Sequence, residues 1–595
     1  MDQKVEAAQY NHPSEALNFA TTPAFINPEY SEFIDPAKLA SVRQQWSQPL
    51  PAVPRPSSER NSDELYDGFS HWIPETRGLA RGARAATRTE HGMTVTEALF
   101  VYKRAIAWSA VLSLTLVMEG FDKTLVTDFF AFPSFRRDYG TQTDGNYQIS
   151  TSWQASLTSC TLAGEIVGLL LNGFFTDKFG NRKTTLGSLV ALSAFIFLSF
   201  FAKNLQMLLA AQILCGIPWG IFQTLSTTYA AECTPVALRA YLTSSINLCW
   251  LIGQLISSGV LRTFSHDPSP WSYRIPFALQ WIWVVPISVG VLLAPESPWW
   301  LLKHERPVEA RRALNRLMKS SKTNSTKVDE SITLMQHTNE VEKHLSSGIG
   351  YIDCFRGSDL RRTEIACFTW MTQSICGAMT GYATYFYAQA GLPTSAALDM
   401  SIAMYGAGII GALICWVLMR IAGRRALYLW GTALVAVTLL VVGLVGAFGP
   451  TSTLTSWTLG SLIVFLTFVY NCTVGPVCYS LVSEIPSARL RVKTVVLARV
   501  AYNILSLITN IIMPLLLNPT AWNWKGKACL LWAGAAILAW CWCWFRLPEP
   551  KGLTYMELDV LFEKKAGTRK FKRVQMSLRG AGYIDRGMHH LAPVQ

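Results

Sequence analysis

Charge is scarce in this chain of 595 residues: Asp, Glu, Lys and Arg make up 15% of it, and hydrophobic residues make up 50%. This composition excludes a soluble enzyme. The 13 cysteines form no Cys-x-x-Cys pair, so we expect neither a zinc site nor a disulfide framework. No nucleophile with a neighbouring base, metal-ligand cluster or phosphate-binding loop stands out. The sequence therefore predicts a protein that is not an enzyme and that needs no metal or cofactor.

Long apolar runs dominate the rest of the sequence. About 20 apolar residues suffice to cross a bilayer as a helix. The first residues, Met1 to Glu6, lack the basic-then-apolar pattern of a signal peptide, so we expect the helices themselves to direct membrane targeting. We predict an all-α membrane protein with twelve transmembrane helices, at residues 105–131, 150–175, 184–202, 206–230, 240–263, 273–294, 363–388, 397–419, 426–448, 455–482, 494–517 and 526–546.

The positive charges lie mainly on one side of these helices. Connections after the even-numbered helices carry far more Lys and Arg than the others, which predicts that this side and both termini are cytoplasmic. The net charge of +13 thus reflects membrane orientation and not nucleic-acid binding. We expect five segments: a mostly disordered tail (1–103), a six-helix bundle (104–294), a cytoplasmic linker with short helices (295–362), a second six-helix bundle (363–546) and a basic tail (547–595).

Two acids interrupt the first predicted helix. Glu119 and Asp122 lie within an apolar stretch, where a carboxylate costs about 2.5–3.5 kcal/mol. Such residues usually face a cavity and handle an ion or a polar solute. Their spacing of three places them on one helix face, and Gly120 allows a neighbouring helix to approach closely. Alternatively, Asp122 and Lys123 mark the end of the helix.

Two further charges lie in predicted membrane helices. Glu165 falls in the second helix and Arg499 near the start of the eleventh. Around a central cavity, the cation would keep one carboxylate ionised, while desolvation and like charge would favour a proton on another. We therefore predict a proton-coupling set of Glu119, Asp122, Glu165 and Arg499. The alternative for Arg499 is that its long side chain reaches the cytoplasmic headgroups.

Six loop motifs lie at the helix ends. Some of them occupy equivalent places in the two halves, as a parallel repeat predicts. They span residues 173–183, 231–239, 295–301, 423–425, 483–491 and 548–554. Together they resemble the sugar porter family of the major facilitator superfamily over about residues 100–562. The resemblance implies two six-helix bundles and a cytoplasmic gating network formed by Asp177, Arg182, Glu232, Arg239, Glu296, Arg424, Glu484, Arg489 and Glu549.

Two stretches narrow this resemblance. Met118-Glu-Gly-Phe-Asp122 and Cys215-Gly-Ile-Pro-Trp-Gly-Ile-Phe-Gln-Thr224 look like the fungal maltose and α-glucoside permeases. That branch implies proton-coupled uptake of α-glucosides by alternating access across the plasma membrane, with Asp122 as the leading proton site. The chain departs from many proton-coupled relatives, because Gln212 stands where they carry an arginine. Hexose-binding relatives carry two adjacent glutamines and an asparagine in the seventh helix. This chain has only the first glutamine, as Gln373, which argues against a simple hexose pocket.

Sugar recognition needs amides and aromatic faces. The candidates in predicted membrane helices are Asn247, Gln254, Gln373, Tyr382, Tyr479, Tyr502 and Asn503. We expect a monomer that binds a small sugar, a proton and the lipid bilayer, and no nucleic acid. Two alternatives stay open at this point: a facilitative or proton-coupled transporter of hexoses or other disaccharides, and a sugar sensor that does not transport.

Overall fold

The computed structural model describes residues 93–143, 146–318, 322–346, 350–450, 452–487, 490–551, 558, 561–562 and 565–571. Residues 1–92 of the predicted disordered tail lie outside the described residues. So does most of the predicted basic tail beyond residue 551. Helix α1 (Val95–Val101) precedes the first membrane helix, and the Thr94 hydroxyl caps it by accepting from the backbone N–H of Glu97.

The first half of the chain contributes six long apolar helices. They are α2 (Lys103–Phe129), α4 (Thr151–Phe179), α5 (Asn181–Phe200), α6 (Leu205–Cys233), α7 (Val236–Phe264) and α8 (Trp271–Leu293). Helix α3 (Pro133–Tyr139) begins with a proline, whose fixed φ suits the first helical position. An antiparallel hairpin of β1 (Thr141–Thr143) and β2 (Asn146–Gln148) follows α3, with Gln142 opposite Tyr147.

The linker and the second half are also helical. The linker holds α9 (Pro298–Lys303), α10 (Pro307–Leu317), α11 (Lys322–Ser346) and a 3₁₀ turn at Tyr351–Phe355. The second half holds α12 (Gly357–Gly377), α13 (Ala383–Gln389), α14 (Thr394–Ile421), α15 (Arg424–Phe448), α16 (Thr453–Cys472), α17 (Val474–Glu484), α18 (Arg491–Leu517) and α19 (Ala528–Arg546).

Eleven stretches of the described chain are long and apolar enough to cross a membrane, and they coincide with eleven of the twelve predicted helices. The predicted helix at 363–388 is divided into α12 and α13 by a 3₁₀ turn at Thr380–Tyr382. Helix α12 also begins with charged residues, so its mean hydropathy is low. The predicted tenth helix is likewise divided, because Thr473 has non-helical dihedrals between α16 and α17.

Glycines bring the site-bearing helices together. Gly164 and Gly168 on α4 face Gly216 and Gly220 on α6, and a Cβ on any of the four would lie within 2.3 Å of a backbone oxygen of the other helix. Small residues four apart are a common way for membrane helices to pack closely. This packing fixes the rotation of α4 and α6, and it places Glu165 beside the partner helix.

Gly120 plays the same part for α2 and α7, as the sequence predicts. A Cβ at this position would lie 2.6 Å from the carbonyl oxygen of Trp250. The close contact brings the Trp250 ring of α7 next to the acidic stretch of α2, where the ammonium of Lys123 lies 6.0 Å from the ring centroid. Helix packing therefore assembles the charged cluster from residues that are distant in sequence.

Candidate functional site

Lys123 lies between two buried carboxylates at the centre of the first half. Its Nζ is 2.7 Å from Glu119 Oε1, one turn earlier on α2, and 2.6 Å from Glu165 Oε1 on α4. Both carboxylate side chains are fully buried, whereas the lysine side chain is 32% exposed. The lysine lines the central cavity. One cation thus contacts two acids and remains reachable from the cavity.

Gln223 connects this cluster to the second half of the molecule. Its Nε2 donates to Glu119 Oε1 at 2.7 Å and to Glu165 Oε2 at 3.0 Å. Its Oε1 accepts from Arg499 Nε at 3.1 Å and from Arg499 Nη2 at 2.7 Å. The amide therefore turns its nitrogen to the anions and its oxygen to the cation. Arg499 and the two acids are linked across the interface without a direct ion pair.

Aromatic rings surround the Arg499 guanidinium. Its central carbon lies 4.7 Å from the ring centroid of Tyr502, 5.3 Å from that of Trp250 and 5.6 Å from that of Trp370. A guanidinium over aromatic faces is favourable, most of all where water is excluded. Arg499 is 7% exposed and lines the cavity. The alternative that it reaches the cytoplasmic headgroups is wrong, because its guanidinium points into the interface between the halves.

Asp122 lies apart from the Lys123 cluster. Its Oδ1 accepts from Gln280 Nε2 on α8 at 2.6 Å. Its Oδ2 is buried beside the indole of Trp219 and receives no hydrogen bond of normal geometry from the described residues. The alternative that Asp122 and Lys123 end the helix is wrong, because α2 continues to Phe129.

The two acids of α2 point to different helices, which corrects the expectation of one shared face. Glu119 turns to α4 and α6, whereas Asp122 turns to α8. Residues three apart on a helix differ by about 60° in direction, and that angle suffices here to separate their partners.

The cavity lies between the two halves and has a volume of about 270 Å³. Five of the seven predicted sugar ligands line it, together with the predicted Arg499: Asn247, Gln254, Gln373, Tyr382 and Tyr502. Asn247 Nδ2 donates to Asn471 Oδ1 at 2.8 Å, and Gln373 Nε2 donates to the Gly475 carbonyl at 3.1 Å. The cavity is thus walled by amides and aromatic hydroxyls from both halves.

The other two predicted ligands, Tyr479 and Asn503, do not belong to the cavity lining. Tyr479 packs between Trp250 and Trp370, with ring centroids 6.3 and 6.0 Å away, and it lies behind Arg499. Asn503 follows Tyr502 directly, so it points about 100° away around α18. Its side chain is fully buried, and neither amide atom has a hydrogen-bond partner among the described residues.

Sequence reasoning missed four polar residues of the site: Lys123, Gln223, Gln280 and Asn471. The signal for three of them was an amide inside an apolar helix, which is costly unless it is hydrogen-bonded. Lys123 was visible beside Asp122, yet its partner Glu165 lies on another helix. Among the described residues, no group of three His, Cys, Asp or Glu side chains is arranged to hold a metal ion.

At the end of the first half that leads into the linker, Glu296 caps the start of α5. Its carboxylate accepts from the backbone N–H groups of Asn181 at 3.0 Å, Arg182 at 3.2 Å and Ser297 at 3.1 Å. Helix N-termini favour such an anion. The turn is tight, because Gly180 has φ of 84° and a Cβ there would lie 2.8 Å from Glu296 Oε2. Burial raises the pKa of Glu296, although the backbone donors oppose that shift.

The remaining gating candidates of the first half surround this cap. Glu232 accepts from the Ser297 hydroxyl and, at 3.5 Å, from Asn181 Nδ2. Arg182 donates from its side chain to the carbonyls of Val291 and Leu292 at the end of α8. Asp177 forms an exposed ion pair with Lys303 of α9 at 2.8 Å. Arg239 lies in α7, and its side chain is outside the described part of the structure.

The second half repeats the arrangement. Glu549 accepts from the backbone N–H groups of Arg424 at 3.0 Å and Arg425 at 3.1 Å, at the start of α15. The Arg424 side chain lies 3.4 Å from Glu484 at the end of α17. Arg489 lies outside the described residues. The contacts of the described gating candidates join residues of the same half, so pairing between the halves stays a prediction.

Solved structures with the same architecture are membrane transporters. The major facilitator superfamily proton:xylose symporter XylE, bound to 6-bromo-6-deoxy-D-glucose, matches with a TM-score of 0.63 at 20% identity, over 78% of this chain and 99% of that chain. A partially occluded inward-open structure of the xylose transporter XylE from E. coli matches with a TM-score of 0.62 at 18% identity, over 76% and 100%. The predicted twelve-helix major facilitator fold is therefore confirmed.

The two helical halves around a polar cavity define a membrane transporter. The family model described as "Sugar (and other) transporter" matches residues 108–562, and the chain belongs to this family. It is 40% identical to the general alpha-glucoside permease of Saccharomyces cerevisiae over 506 residues, 84% of this chain and 82% of the relative. It is 41% identical to maltose permease MAL61 of the same species over 502 residues, 83% and 81%. The predicted resemblance is confirmed.

Proposed function

We propose that this protein is a proton-coupled importer of α-glucosides such as maltose. It works by alternating access in the plasma membrane, with both termini in the cytoplasm and a single chain as the working unit. Relatives that are 40–41% identical over more than four fifths of the chain are named for α-glucosides and maltose. The cavity supplies amides and aromatic rings, the groups that bind sugar hydroxyls and sugar faces.

The state of Asp122 is the observation that carries the proton coupling. It is 2% exposed and accepts one hydrogen bond from an amide, and no described residue forms an ion pair with it. An ionised carboxylate without a cation is costly in such a site, so the occluded site favours the neutral acid. Opening to water favours the ionised acid, so closure from the outward-open state captures a proton from the outer water, and opening to the inside lets that proton leave. Asp122 therefore binds a proton outside and releases it inside.

Glu119 and Glu165 have a different role, because both pair with Lys123. A resident cation contacts both carboxylates. Arg499 reaches them through the Gln223 amide, and it belongs to the half that moves relative to them. The set Glu119, Glu165 and Arg499 thus adjusts the field around Asp122 when the halves change position.

The sugar is held where the two halves meet. Asn247 and Asn471 come from opposite halves and bond each other at 2.8 Å, so sugar hydroxyls can replace that bond from both sides. Gln254, Gln373 and Tyr382 supply further donors and acceptors, and Tyr502 supplies an aromatic face beside Arg499. Binding that bridges the halves stabilises the occluded arrangement and so drives the conformational change.

The cytoplasmic caps serve as rigid ends of each half. Glu296 follows α8 and bonds to the start of α5. Glu549 follows α19 and bonds to the start of α15. Rigid ends let each half move as one body during alternating access. In this proposal the network of Asp177, Arg182, Glu232, Arg239, Glu296, Arg424, Glu484, Arg489 and Glu549 governs closure of the cytoplasmic side.

The test uses de-energised cells that express the full chain, with the medium pH recorded while maltose is added. We expect alkalinisation that tracks labelled maltose uptake and that an uncoupler abolishes; in energised cells, the uncoupler should also abolish maltose accumulation. Cells with the empty vector give the baseline. Accumulation in energised cells that is indifferent to the uncoupler would overturn proton coupling.

The substrate class is tested by competition against labelled maltose with sucrose, trehalose, isomaltose, cellobiose, lactose and glucose. We expect the α-linked disaccharides to compete and glucose to compete poorly. Glucose as the best competitor would favour the hexose alternative. Binding of maltose without accumulation of label would favour the sensor alternative.

A further inference from the structure

A third buried acid of α2 has no part in the site described so far. Asp128 is 3% exposed, lies six residues after Asp122 and is not among the cavity-lining residues. Its Oδ2 accepts from the Ser258 hydroxyl of α7 at 3.1 Å. The hydroxyl of Thr384 on α13 also lies within hydrogen-bonding reach of the carboxylate.

The hydrogen-bonding groups that contact the Asp128 carboxylate are uncharged hydroxyls. The titratable group that faces it from α14 is the Tyr405 phenol. On α7, Arg262 lies one turn beyond Ser258, but it pairs with Asp399 of α14 at 2.7 Å. Within the described chain, no ion pair reaches Asp128. Hydroxyls alone compensate poorly for a buried negative charge, whereas a neutral carboxylic acid fits such a site.

Asp128 also lies on the seam between the two halves. Asp128 and Ser258 belong to the first half, and Thr384 and Tyr405 belong to the second. Under the orientation proposed above, this end of α2 faces the outside. When the outer side of the transporter opens, the partners from the second half leave, and water reaches the carboxylate. Its environment therefore changes between the open and closed arrangements.

Helix α13 is the element that covers Asp128. The 3₁₀ turn at Thr380–Tyr382 separates it from α12, and its first five residues are all buried. It is held by a bond of 2.6 Å between the Thr384 and Ser401 hydroxyls and by a bond from Gln154 Nε2 to the Tyr385 hydroxyl at 3.4 Å. A short helix that a 3₁₀ turn separates from the preceding helix is suited to move as a lid.

We propose that Asp128 is a second proton-binding site, distinct from Asp122, whose protonation from the outside allows α13 to close over the cavity. A proton on Asp128 removes the charge that closure would bury, and the acid then forms hydrogen bonds with the hydroxyls around it. An ionised Asp128 keeps α13 open. This proton need not cross the membrane, because the site is reached from the outer side. The inference rests on the proposed function for the identity of the sugar, the membrane orientation and the role of Asp122.

The test separates the two acids by using exchange of labelled for unlabelled maltose, which needs no net proton movement. Full-length protein in sealed vesicles is assayed with the outer pH varied from 5 to 8 and the inner pH fixed. We compare Asp122→Asn with the double variant Asp122→Asn/Asp128→Asn. If closure strengthens proton binding by Asp128 about tenfold, maltose exchange by Asp122→Asn falls roughly tenfold as the outer pH rises across this range. The double variant should stay constant within about twofold.

Two further variants keep the proposal open to refutation. Asp128→Asn alone should retain the wild-type ratio of protons to maltose, because Asp122 is intact. Thr384→Val removes a donor to the carboxylate, so ionisation opposes closure more strongly and the fall with outer pH should be larger than in wild type. A double variant with the same pH profile as Asp122→Asn would overturn the proposal. So would an Asp128→Asn protein that no longer couples protons to maltose. Failure of proton coupling in the wild type would contradict the proposed function alone.

Discussion

The two halves of this transporter are alike at the helix ends that carry Glu296 and Glu549 and unlike inside the helical bundles. In both, a glutamate that follows the last helix of the half caps the start of its third helix: Glu296 in the first half and Glu549 in the second. Inside the membrane, the first half holds Glu119, Lys123 and Glu165. The second half contributes a single cation to this cluster. The glutamate caps are therefore repeated in both halves, whereas the buried acids of this cluster lie in the first half only.

The asymmetry explains how motion and chemistry are linked. If both halves carried acids and cations, each could balance its own charge, and their relative position would matter little. Here Lys123 offsets only one of the two negative charges of Glu119 and Glu165, and Arg499 approaches them from the second half through one amide, Gln223. We therefore expect a movement of the second half to change the position of Arg499 relative to the acids.

The largest expected effect on stability comes from Lys123→Met, which breaks the internal balance of the first half. Two buried carboxylates would then face each other without a cation, and removing one partner of a buried pair costs about 3–5 kcal/mol. Thermal unfolding of the purified protein checks this loss. The loss should be greater at pH 8 than at pH 5, because a proton can replace the missing cation. The double variant Lys123→Met/Glu165→Gln should recover part of the stability. Unchanged stability in the single variant would contradict the charge balance.

Arg499→Lys tests the bridge between the halves and is expected to have the next largest effect. Lysine keeps the charge but cannot donate two hydrogen bonds to Gln223 from a planar fork. Loss of a buried hydrogen-bonded partner costs about 1–3 kcal/mol, and we expect uphill maltose accumulation to fall with it. The control is Arg356→Lys, since Arg356 is 74% exposed and pairs with Asp353 at 3.4 Å. Equal effects of the two changes would argue against the bridge.

The paired variants Glu296→Gln and Glu549→Gln test the likeness of the halves. Each glutamine places donors against backbone N–H groups, so each should lower the free energy of unfolding by about 1–2 kcal/mol. Because burial raises the pKa of Glu296, the folded state holds its proton more tightly than the unfolded state. The contribution of Glu296 is complete below about pH 4.5 and is lost as pH rises. The deficit of Glu296→Gln should therefore shrink from pH 4.5 to pH 7, as thermal unfolding at several pH values would show.

Asp177→Asn should have the smallest effect. The ion pair of Asp177 with Lys303 is 68% exposed on the acid, and surface pairs contribute about 0–1 kcal/mol. We expect wild-type stability and nearly wild-type maltose uptake. A severe loss of uptake with normal stability would instead support a direct role of Asp177 in closing the cytoplasmic side.

Much of the fold was predictable from the sequence because a membrane helix can be recognised from its own residues alone. Twenty apolar residues, a flanking arginine and a repeated loop motif can each be recognised without knowing what they touch. The broken helix α12–α13 is the exception. Its predicted range was correct as a whole, but the turn at Thr380–Tyr382 depends on packing around it. The same limit applies to the break at Thr473 between α16 and α17.

The candidate site was predictable only in part. A charge in an apolar helix is conspicuous, so Glu119, Asp122, Glu165 and Arg499 were found. Their partners were not, since pairing depends on the rotation of each helix about its axis. Glycine packing sets that rotation, and it brings Lys123 within 2.6 Å of Glu165 on another helix. Rotation also explains the error at Asn503, which is one residue from a cavity-lining tyrosine.

The most direct measurement compares the protons and maltose molecules taken up together by Asp122→Asn and Glu119→Gln. The central claim is that Asp122, which has no ion pair within the described chain, carries the proton, while Lys123 fixes Glu119 and Glu165. We predict that Asp122→Asn abolishes alkalinisation and uphill accumulation but still exchanges maltose. Glu119→Gln should weaken accumulation and keep the proton-to-maltose ratio. An Asp122→Asn protein that accumulates maltose with the wild-type ratio would contradict the account.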